Sequence, residues 1–336
     1  MAILLAIALL MPVLLYAVGL PPRIEVYRGI SHLAGPFDAL RHQAFEDTST
    51  LDMLIFGNSL VRVGFEQNWI RQQLSTSLGR PVNVLLSGLT WQGHDMQYFV
   101  LRDLLEHRKV KMLVISMPAR THTQDTPHVQ IFRLLRFGDF PGALDGLPLH
   151  YRISLYADCV LGAPRQALNL VRGNLVYANP DTPDDPHWRD IGYMDSPFVP
   201  MPPDHPDLPA GSMIYSAATR NRFTFGGPPL NPYQLHFVRK IAELAAEHGT
   251  RAVIVHVPMA SEKGETTVWE REYWPQTLGE DIPIVGVPSA TLFAGLSDQQ
   301  FYYFYADEHL NRNGQQRFTR TITPALVKLY QDAYPN

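Results

Sequence analysis

A serine and a histidine near opposite ends of the chain are the residue types that nucleophilic catalysis needs. Ser59 follows an apolar run, across Gly57 and Asn58, and His309 lies in the polar cluster Asp307-Glu308-His309-Leu310-Asn311. A serine hydroxyl is a weak nucleophile until an imidazole takes its proton and a carboxylate orients that imidazole. About 250 residues separate Ser59 from His309, so only folding can bring them together. The pattern predicts a serine-dependent acyl-transfer or ester-cleaving enzyme.

Gly88 and Asp307 complete the predicted site. Gly88 ends a second apolar run, where its backbone can approach a substrate and offer an N–H to an oxyanion beside the N–H of Ser59. Residues two apart point the same way in extended chain, so Asp307 is predicted to orient the His309 imidazole. Simpler interpretations stay open, because Ser59 also suits a helix N-cap and Gly88 a turn.

Short apolar runs alternate with amphipathic helical patterns in most of the chain, which predicts an α/β domain whose parallel sheet is covered on both faces. Open sheets of this kind keep their sites at the carboxyl ends of the strands. Ser59 and Gly88 would therefore share one edge. The predicted strands are 51–57, 82–86, 111–116, 252–257 and 282–287, and the predicted helices are 65–78, 94–107, 232–248 and one that Asn311 caps.

Composition narrows the classes of function. The net charge of −4 argues against nucleic acid as a partner, because phosphates require a basic face. The single cysteine, Cys159, excludes an internal disulfide and is predicted to be a buried structural thiol. No metal or cofactor is expected, because the histidines lack metal-ligand spacing; those considered are His94, His122, His128 and His256.

The first twenty residues form a separate segment. Residues 2–20 carry no charge and are almost wholly apolar, and as a helix they would reach roughly 28 Å, about one bilayer core. One interpretation is an N-terminal transmembrane helix that anchors a periplasmic or extracellular domain. Another is a signal peptide cleaved after Ala17-Val18-Gly19, and a third is a buried core helix.

The rest of the chain is predicted to be a linker and one large domain. Residues 21–50 are expected to be the linker, with one short helix near 37–45, and residues 51–331 the catalytic domain. A large insertion, 118–231, interrupts the α/β rhythm. Its part 129–173 mixes apolar residues with arginines, which suits a helical cap on the sheet or an amphipathic surface for a membrane or membrane partner. The later part is rich in Pro, Asp and Gly and predicts an ordered loop that frames the site.

Three segments together resemble the SGNH (GDSL-type) hydrolase superfamily. They match its nucleophile, oxyanion-glycine and terminal Asp/His blocks in order: Gly57-Asn58-Ser59-Leu60, then Val82-Asn83-Val84-Leu85-Leu86-Ser87-Gly88-Leu89-Thr90, then Asp307-Glu308-His309-Leu310-Asn311-Arg312-Asn313-Gly314. The resemblance covers about 51–118 and 232–331. It implies a flavodoxin-like three-layer α/β/α fold. It also implies Ser59 as nucleophile, His309 as general base and acid, Asp307 as its orienter, and Ser59 and Gly88 as oxyanion donors.

The chain departs from that family pattern at three places. Asn58 stands where the family usually has Asp, and Asp307 precedes His309 by two positions where three are usual. No asparagine follows the third strand, so other residues are expected to contact substrate there; the candidates, with Asn58, are Arg120, Thr121 and His122. The Asp-x-His spacing resembles exopolysaccharide O-acetylation proteins of the alginate type. The His-Leu-Asn tail and apolar N-terminus resemble the D-alanyl-transfer protein of teichoic acid modification, which works beside a membrane-bound O-acyltransferase.

These resemblances imply transfer of a short acyl group, most simply acetyl, to or from a cell-envelope or exported polysaccharide through an acyl-serine intermediate. The implied substrate is a glycan or acyl ester, the implied partner is a membrane-bound O-acyltransferase, and the membrane contact is through residues 2–20. Two alternatives stay open. One is a secreted carbohydrate esterase or deacetylase with the same triad, and the other is a catalytically silent scaffold for such a partner.

Overall fold

The computed structural model shows an α/β fold. It describes residues 2–19, 21–30, 37–89, 93–116, 127–128, 130–171, 213–215, 232–266, 282–306 and 308–335. The strands in chain order are β1 (Leu51–Gly57), β2 (Val84–Gly88), β3 (Val110–Ser116), β4 (Met213–Tyr215), β5 (Arg251–Val255), β6 (Ile284–Gly286), β7 (Tyr305–Ala306) and β8 (His309–Leu310).

The described helices divide into those before and those after the middle of the chain. The first group is α1 (Ala2–Ala17), α2 (Arg23–Arg28), α3 (Phe37–Arg41), α4 (Ser59–Gly64), α5 (Gln67–Leu78), α6 (His94–His107), α7 (Ile131–Leu134) and α8 (Leu149–Val171). The second group is α9 (Pro232–Glu247), α10 (Ser289–Leu292), α11 (Asp298–Tyr302) and α12 (Arg312–Ala333). A π-helical turn spans His42–Glu46, and single 3-10 turns span Phe137–Asp139 and Ala260–Glu262.

Six strands form one sheet in the order β2-β1-β3-β5-β6-β4. The first five run parallel, and β4 pairs antiparallel with β6 at the edge. The strands β7 and β8 form a separate antiparallel hairpin. The predicted parallel sheet with helices on both faces is confirmed. Its carboxyl edge gathers the described residues that follow β1, β2 and β5.

Alternate residues of the central strands enter two separate hydrophobic clusters. On β1, Leu54 and Phe56 belong to the cluster under α2, α3, α6 and α9, whereas Met53 and Ile55 belong to the cluster under α5, α10 and α12. All four side chains are fully buried. A strand covered on both faces reads as a continuous apolar run, which is why β1 was recognisable in the sequence.

Local signals predicted several elements well and others poorly. The predicted bounds of β1 and α6 are confirmed, and Asn311 caps α12 by accepting from the N–H groups of Asn313 and Gly314 at 2.9 and 3.1 Å. Strand β2 lies two residues later than predicted, because its pairing with β1 begins at Val84 opposite Met53. Register of this kind depends on the partner strand, which a local apolar pattern does not specify.

The N-terminal segment differs from its prediction. Among the residues that the structure describes, no helix has both the length and the apolar composition that crossing a bilayer requires. Helix α1 covers 16 residues, roughly 24 Å, and the chain turns at Gly19, whose φ of 69° is left-handed. The transmembrane helix predicted over residues 2–20 is therefore not supported.

Much of the predicted linker is packed into the domain. Tyr27 is fully buried and its hydroxyl donates to the Asp103 carboxylate at 2.8 Å, and Arg23 pairs with the same carboxylate at 2.7 Å. Leu40, on α3, is also fully buried. Residues 21–50 are thus partly a structural layer over α6, because the apolar side chains of α2 and α3 have a core to enter.

The predicted insertion is described only in part. Its helical portion contains α8, a helix of 23 residues, as expected for the first part of the insertion. The strand β4 also falls inside 118–231 and was not predicted, because three residues within a Pro- and Gly-rich stretch give too short a pattern to recognise. The remainder of that stretch lies outside the described residues.

Candidate active site

Ser59 lies where the sequence placed it, immediately beyond the carboxyl end of β1. Asn58 is buried, and its Oδ1 accepts from the N–H groups of Leu60 and Val61 at 3.1 and 3.4 Å, so Asn58 and not Ser59 caps α4. The Ser59 hydroxyl is therefore not used as the cap. Its backbone N–H, the first of the helix, is not one of the two that Asn58 satisfies. Asn58, a polar residue directly before the helix, is a typical helix-start signal. The sequence prediction nevertheless did not include α4.

His309 meets Ser59 across the chain. The Ser59 Oγ and the His309 Nε2 are 2.9 Å apart, although 250 residues separate them. Both residues are half-buried. The imidazole is thus within hydrogen-bond reach of the hydroxyl, at an edge of the sheet that solvent and small molecules can reach. This is the distance that a general base needs to take the hydroxyl proton.

A short hairpin presents His309 to Ser59. In it Ala306 pairs with His309 and Tyr305 with Leu310. Asn311 holds the hairpin closed: its N–H donates to the Phe304 carbonyl at 2.9 Å, and its side-chain amide donates to the Tyr303 carbonyl at 2.7 Å. One asparagine thus caps α12 and clamps the loop before His309. The cap was predictable from the sequence, and the clamp was not.

A second loop supports the hairpin from the end of β5. The Ser261 N–H donates to the Glu308 carboxylate at 3.0 Å, and the Tyr305 hydroxyl donates to the Pro258 carbonyl at 3.3 Å. Inside this loop Glu262 accepts from the Met259 N–H at 3.1 Å. Tyr305 and Glu308, the chain neighbours of Ala306 and His309, are both bonded to this loop. The orientation of His309 therefore depends on residues about 50 positions earlier.

Close packing alone explains why a glycine stands at position 88. It lies opposite Gly57 in the β1–β2 register, and the Leu89 N–H donates to the Gly57 carbonyl at 2.8 Å. A Cβ at Gly88 would overlap that carbonyl oxygen. Gly57 is also closely packed, since a Cβ there would lie 2.8 Å from the Ser116 Cβ. The three strand ends thus converge tightly beneath Ser59, and the predicted role of the Gly88 N–H as an oxyanion donor stays a prediction.

Two buried histidines lie at the same edge without reaching solvent. The Nε2 of His256 is 3.1 Å from the Glu262 carboxylate, and the Nε2 of His94 is 3.3 Å from the Ser116 carbonyl. Burial lowers the pKa of each imidazole to about 4, so each is neutral at pH 7 and donates one ring N–H. The His94 contact ties the start of α6 to the end of β3, and the His256 contact lies within the loop that follows β5, which suits a structural role.

Arg62 is a candidate that the sequence interpretation missed. It lies three positions after Ser59 on α4, and residues at this spacing share a helix face. Burial lowers the pKa of its guanidinium to about 10, so it stays cationic at pH 7. A cation one helical turn from a nucleophile can favour an anionic substrate or a developing negative charge. The spacing was visible in the sequence, but the burial was not.

Several predicted site residues cannot be placed. Asp307, the proposed partner of His309, and the substrate-contact candidates Arg120, Thr121 and His122 lie outside the described residues. Asn58 is described, and its side chain serves as a helix cap. A substrate-binding role for Asn58 stays a prediction, as do the roles of the other four.

The arrangement can perform nucleophilic acyl chemistry. It combines a serine at a strand–helix junction, an imidazole at hydrogen-bond distance, and a half-buried edge. No protein-family model matches the chain, and no curated protein matches it. Function is therefore inferred from the geometry of the site.

Proposed function

We propose that this protein is a serine-dependent acyl-transfer enzyme of the SGNH hydrolase type. In this proposal it moves a short acyl group, most simply acetyl, to or from a cell-envelope or exported polysaccharide. The observation that carries the proposal is the 2.9 Å contact between the Ser59 Oγ and the His309 Nε2. The two residue types and their distance are those of an activated nucleophile and its general base.

The strand order supports the family part of the proposal. Taken alone, the five parallel strands follow the order 2-1-3-4-5 in chain sequence, which is the doubly wound order of flavodoxin-like folds. Such sheets bind ligands beyond the carboxyl ends of their strands, next to the point where the strand order reverses. Ser59 follows β1, which lies beside that reversal between β1 and β3. Fold alone does not assign function, so the support comes from the site that sits there.

The proposed reaction has two halves. Ser59 Oγ attacks the carbonyl carbon of an acyl ester while His309 Nε2 takes the hydroxyl proton, with Asp307 as the proposed orienter of the imidazole. The tetrahedral oxyanion is assigned to the backbone N–H groups of Ser59 and Gly88. The ester C–O bond then breaks, His309 returns the proton to the leaving alcohol, and an acyl-serine remains.

The second half determines whether the enzyme transfers or hydrolyses. A sugar hydroxyl or a water molecule gives its proton to His309 and attacks the acyl-serine, and Ser59 leaves with that proton. The half-buried pair at a reachable edge favours neither acceptor. A membrane-bound O-acyltransferase as acyl source and a location outside the cytoplasm belong to the same proposal, and both rest on the family resemblance.

Turnover of p-nitrophenyl acetate with a polysaccharide-derived oligosaccharide tests the proposal. The natural protein should release p-nitrophenol and acetylate the oligosaccharide, and Ser59→Ala should do neither. Ser77→Ala is the matched control, because Ser77 is exposed and bonded only to the Gln331 amide among described contacts. Release of p-nitrophenol without acetylated sugar would leave an esterase, and full activity in Ser59→Ala would refute the nucleophile.

A further inference from the structure

The long helix α8 exposes an apolar stripe. Five large side chains along it are 46 to 86% exposed: Leu149, Ile153, Leu161, Leu168 and Val171. At 3.6 residues per turn these positions fall within an arc of about 120°, and the exposed His150 lies within the same arc. On the other side, Leu155 is fully buried. The stripe therefore exposes large apolar side chains to solvent, on the side of the helix where polar residues are usual.

Charged side chains flank this stripe. Arg152 and Arg165 fall on either side of the apolar arc. Arg152 donates to the Phe140 carbonyl at 3.4 Å, and Arg165 pairs with Asp158 at 3.0 Å. Apolar residues on one face with arginines at both margins are typical of helices that lie in a membrane interface, where the arginine heads reach the phosphates. The length of α8, roughly 34 Å at 1.5 Å per residue, provides a long line of contact.

Helix α1 lies beside α8 and is apolar on every side. Ile3, Leu5 and Leu10 are 76%, 61% and 53% exposed, and among residues 3–17 only Pro12 and Val13 are half-buried. Contacts fix it to the domain: the Tyr156 hydroxyl of α8 donates to the Leu9 carbonyl, and the Tyr16 and Phe137 rings are 6.3 Å apart. A helix that is apolar on every side is usually buried in protein or in lipid.

A cavity of about 420 Å³ lies between the two helices and the domain. Its walls are mainly apolar, including Leu15 and Phe132, but charged residues of both signs also line it: Glu25, Arg133 and Arg136. Burial lowers the pKa of both guanidiniums. Arg133 donates to the Gln130 side chain at 3.3 Å, and Arg136 donates to the Pro21 carbonyl at 3.0 Å. An apolar cavity of this size accommodates a hydrocarbon chain.

We propose that α1 and the exposed stripe of α8 together form a surface that inserts into one leaflet of an anionic phospholipid bilayer. The apolar side chains of both helices enter the acyl region of the leaflet, and Arg152 and Arg165, at the margins of the stripe, face the lipid phosphates. The cavity between the helices then receives an acyl chain from that leaflet. The attachment is interfacial, since α1 is shorter than a bilayer core and α8 carries charges. It does not depend on the chemistry proposed for Ser59.

Flotation of the full chain with phospholipid vesicles tests this surface. Vesicles containing phosphatidylglycerol should carry the protein, and pure phosphatidylcholine vesicles should carry less. The double variant Ile153→Glu with Leu161→Glu keeps α1 intact and should lower the vesicle partition coefficient about 100-fold. Tyr302→Glu is the control, because Tyr302 is an equally exposed apolar side chain, at 57%, on α11; it should change partition less than twofold.

Two further variants separate the parts of the proposal. Arg152→Gln with Arg165→Gln should remove about tenfold of the preference for anionic vesicles and leave binding to neutral vesicles unchanged. Ile153→Gln with Leu161→Gln repeats the main test without adding charge, and circular dichroism checks that each variant is folded. Unchanged flotation of both folded α8 variants would overturn the shared surface in favour of α1 alone. A dimer in light scattering that these variants split, with no vesicle binding, would make the face a contact between copies.

Discussion

The two ends of strand β1 are both bonded to the C-terminal part of the chain, yet they differ in what they can do. At the carboxyl end Ser59 meets His309. At the other end the Asp52 carboxylate accepts from the Tyr330 hydroxyl at 2.7 Å, across 278 residues. Each end therefore shows a polar contact between the same distant regions. Only one of them resembles a site.

The Asp52 end is saturated with partners. Besides Tyr330, the carboxylate accepts from Arg80 at 2.8 Å, from Lys111 at 2.9 Å and from the Asn83 N–H at 2.9 Å. Burial raises the pKa of Asp52, but these hydrogen bonds outweigh burial and hold the pKa well below its usual value. A carboxylate with every acceptor position used is a structural group, since nothing is left to bind a substrate.

The Ser59 end has the opposite character. Its contact joins a nucleophile to a base, and both are half-buried. A long-range polar contact or a strongly shifted pKa therefore does not identify an active site by itself. Chemical complementarity and access to a substrate distinguish the two ends.

The largest expected effect separates the two ends by activity. His309→Ala should lower acyl-ester turnover about 10⁵-fold, because Ser59 would lose its general base. The melting temperature should change little, since His309 is half-buried on a two-residue strand. Turnover and thermal unfolding measured on the same preparation check this. A variant that melts far below the natural protein would make His309 a structural residue like Asp52.

A smaller loss is expected from the carboxylate that the structure does not describe. Asp307→Asn should lower turnover about 10⁴-fold by removing the orientation and charge that stabilise the imidazolium. Glu308→Gln is the control, because the Glu308 carboxylate accepts from Ser261 and is committed to loop support. If Glu308→Gln is the more damaging of the two, the assignment of the orienting carboxylate is wrong.

Gly88→Ala should destabilise the carboxyl edge. The new Cβ would overlap the Gly57 carbonyl oxygen, and such overpacking costs about 3 kcal/mol of unfolding free energy. Urea unfolding measures the change. Gly142→Ala is the control, because no heavy atom lies within 4 Å of a Cβ there. Equal stability of the two variants would contradict the close packing beneath Ser59.

The smallest effect concerns the other end of β1. Asp52→Asn should cost about 2 kcal/mol of unfolding free energy near pH 7 and leave turnover unchanged, because it unpairs Arg80 and Lys111. The pKa of Asp52 is lowered in the folded protein. Its stabilisation is therefore present above the unfolded pKa, about 3.9, and is lost as pH falls through the folded value. Urea unfolding between pH 6 and 2 should show the natural protein and the variant converging.

Sequence reasoning located elements whose evidence is local. Strand β1 is a continuous apolar run, α6 has a strong helical pattern, and Asn311 is a recognisable cap. The sequence prediction was wrong where the position or formation of an element depends on the segment that pairs with it. The register of β2 depends on β1, and β4 exists only because β6 offers an edge. The linker prediction missed the burial of Tyr27, because a short segment gives no sign of the helix that will cover it.

The candidate site divides in the same way. Ser59, His309 and Gly88 were visible as residue types at strand ends, and the fold brings Ser59 and His309 into contact. The supporting contacts were not visible, because they join backbone groups of distant loops. The Ser261–Glu308 bond and the Asn311 clamp are of this kind.

Covalent trapping of Ser59 tests whether its hydroxyl is an activated nucleophile. The full chain is incubated with a fluorophosphonate, digested, and the labelled peptide identified by mass spectrometry. We expect one adduct on Ser59, none in Ser59→Ala, and much slower labelling in His309→Ala, because the nucleophile then lacks its base. If the folded natural protein takes no label, or takes it at another serine, the assignment of Ser59 as the nucleophile is wrong.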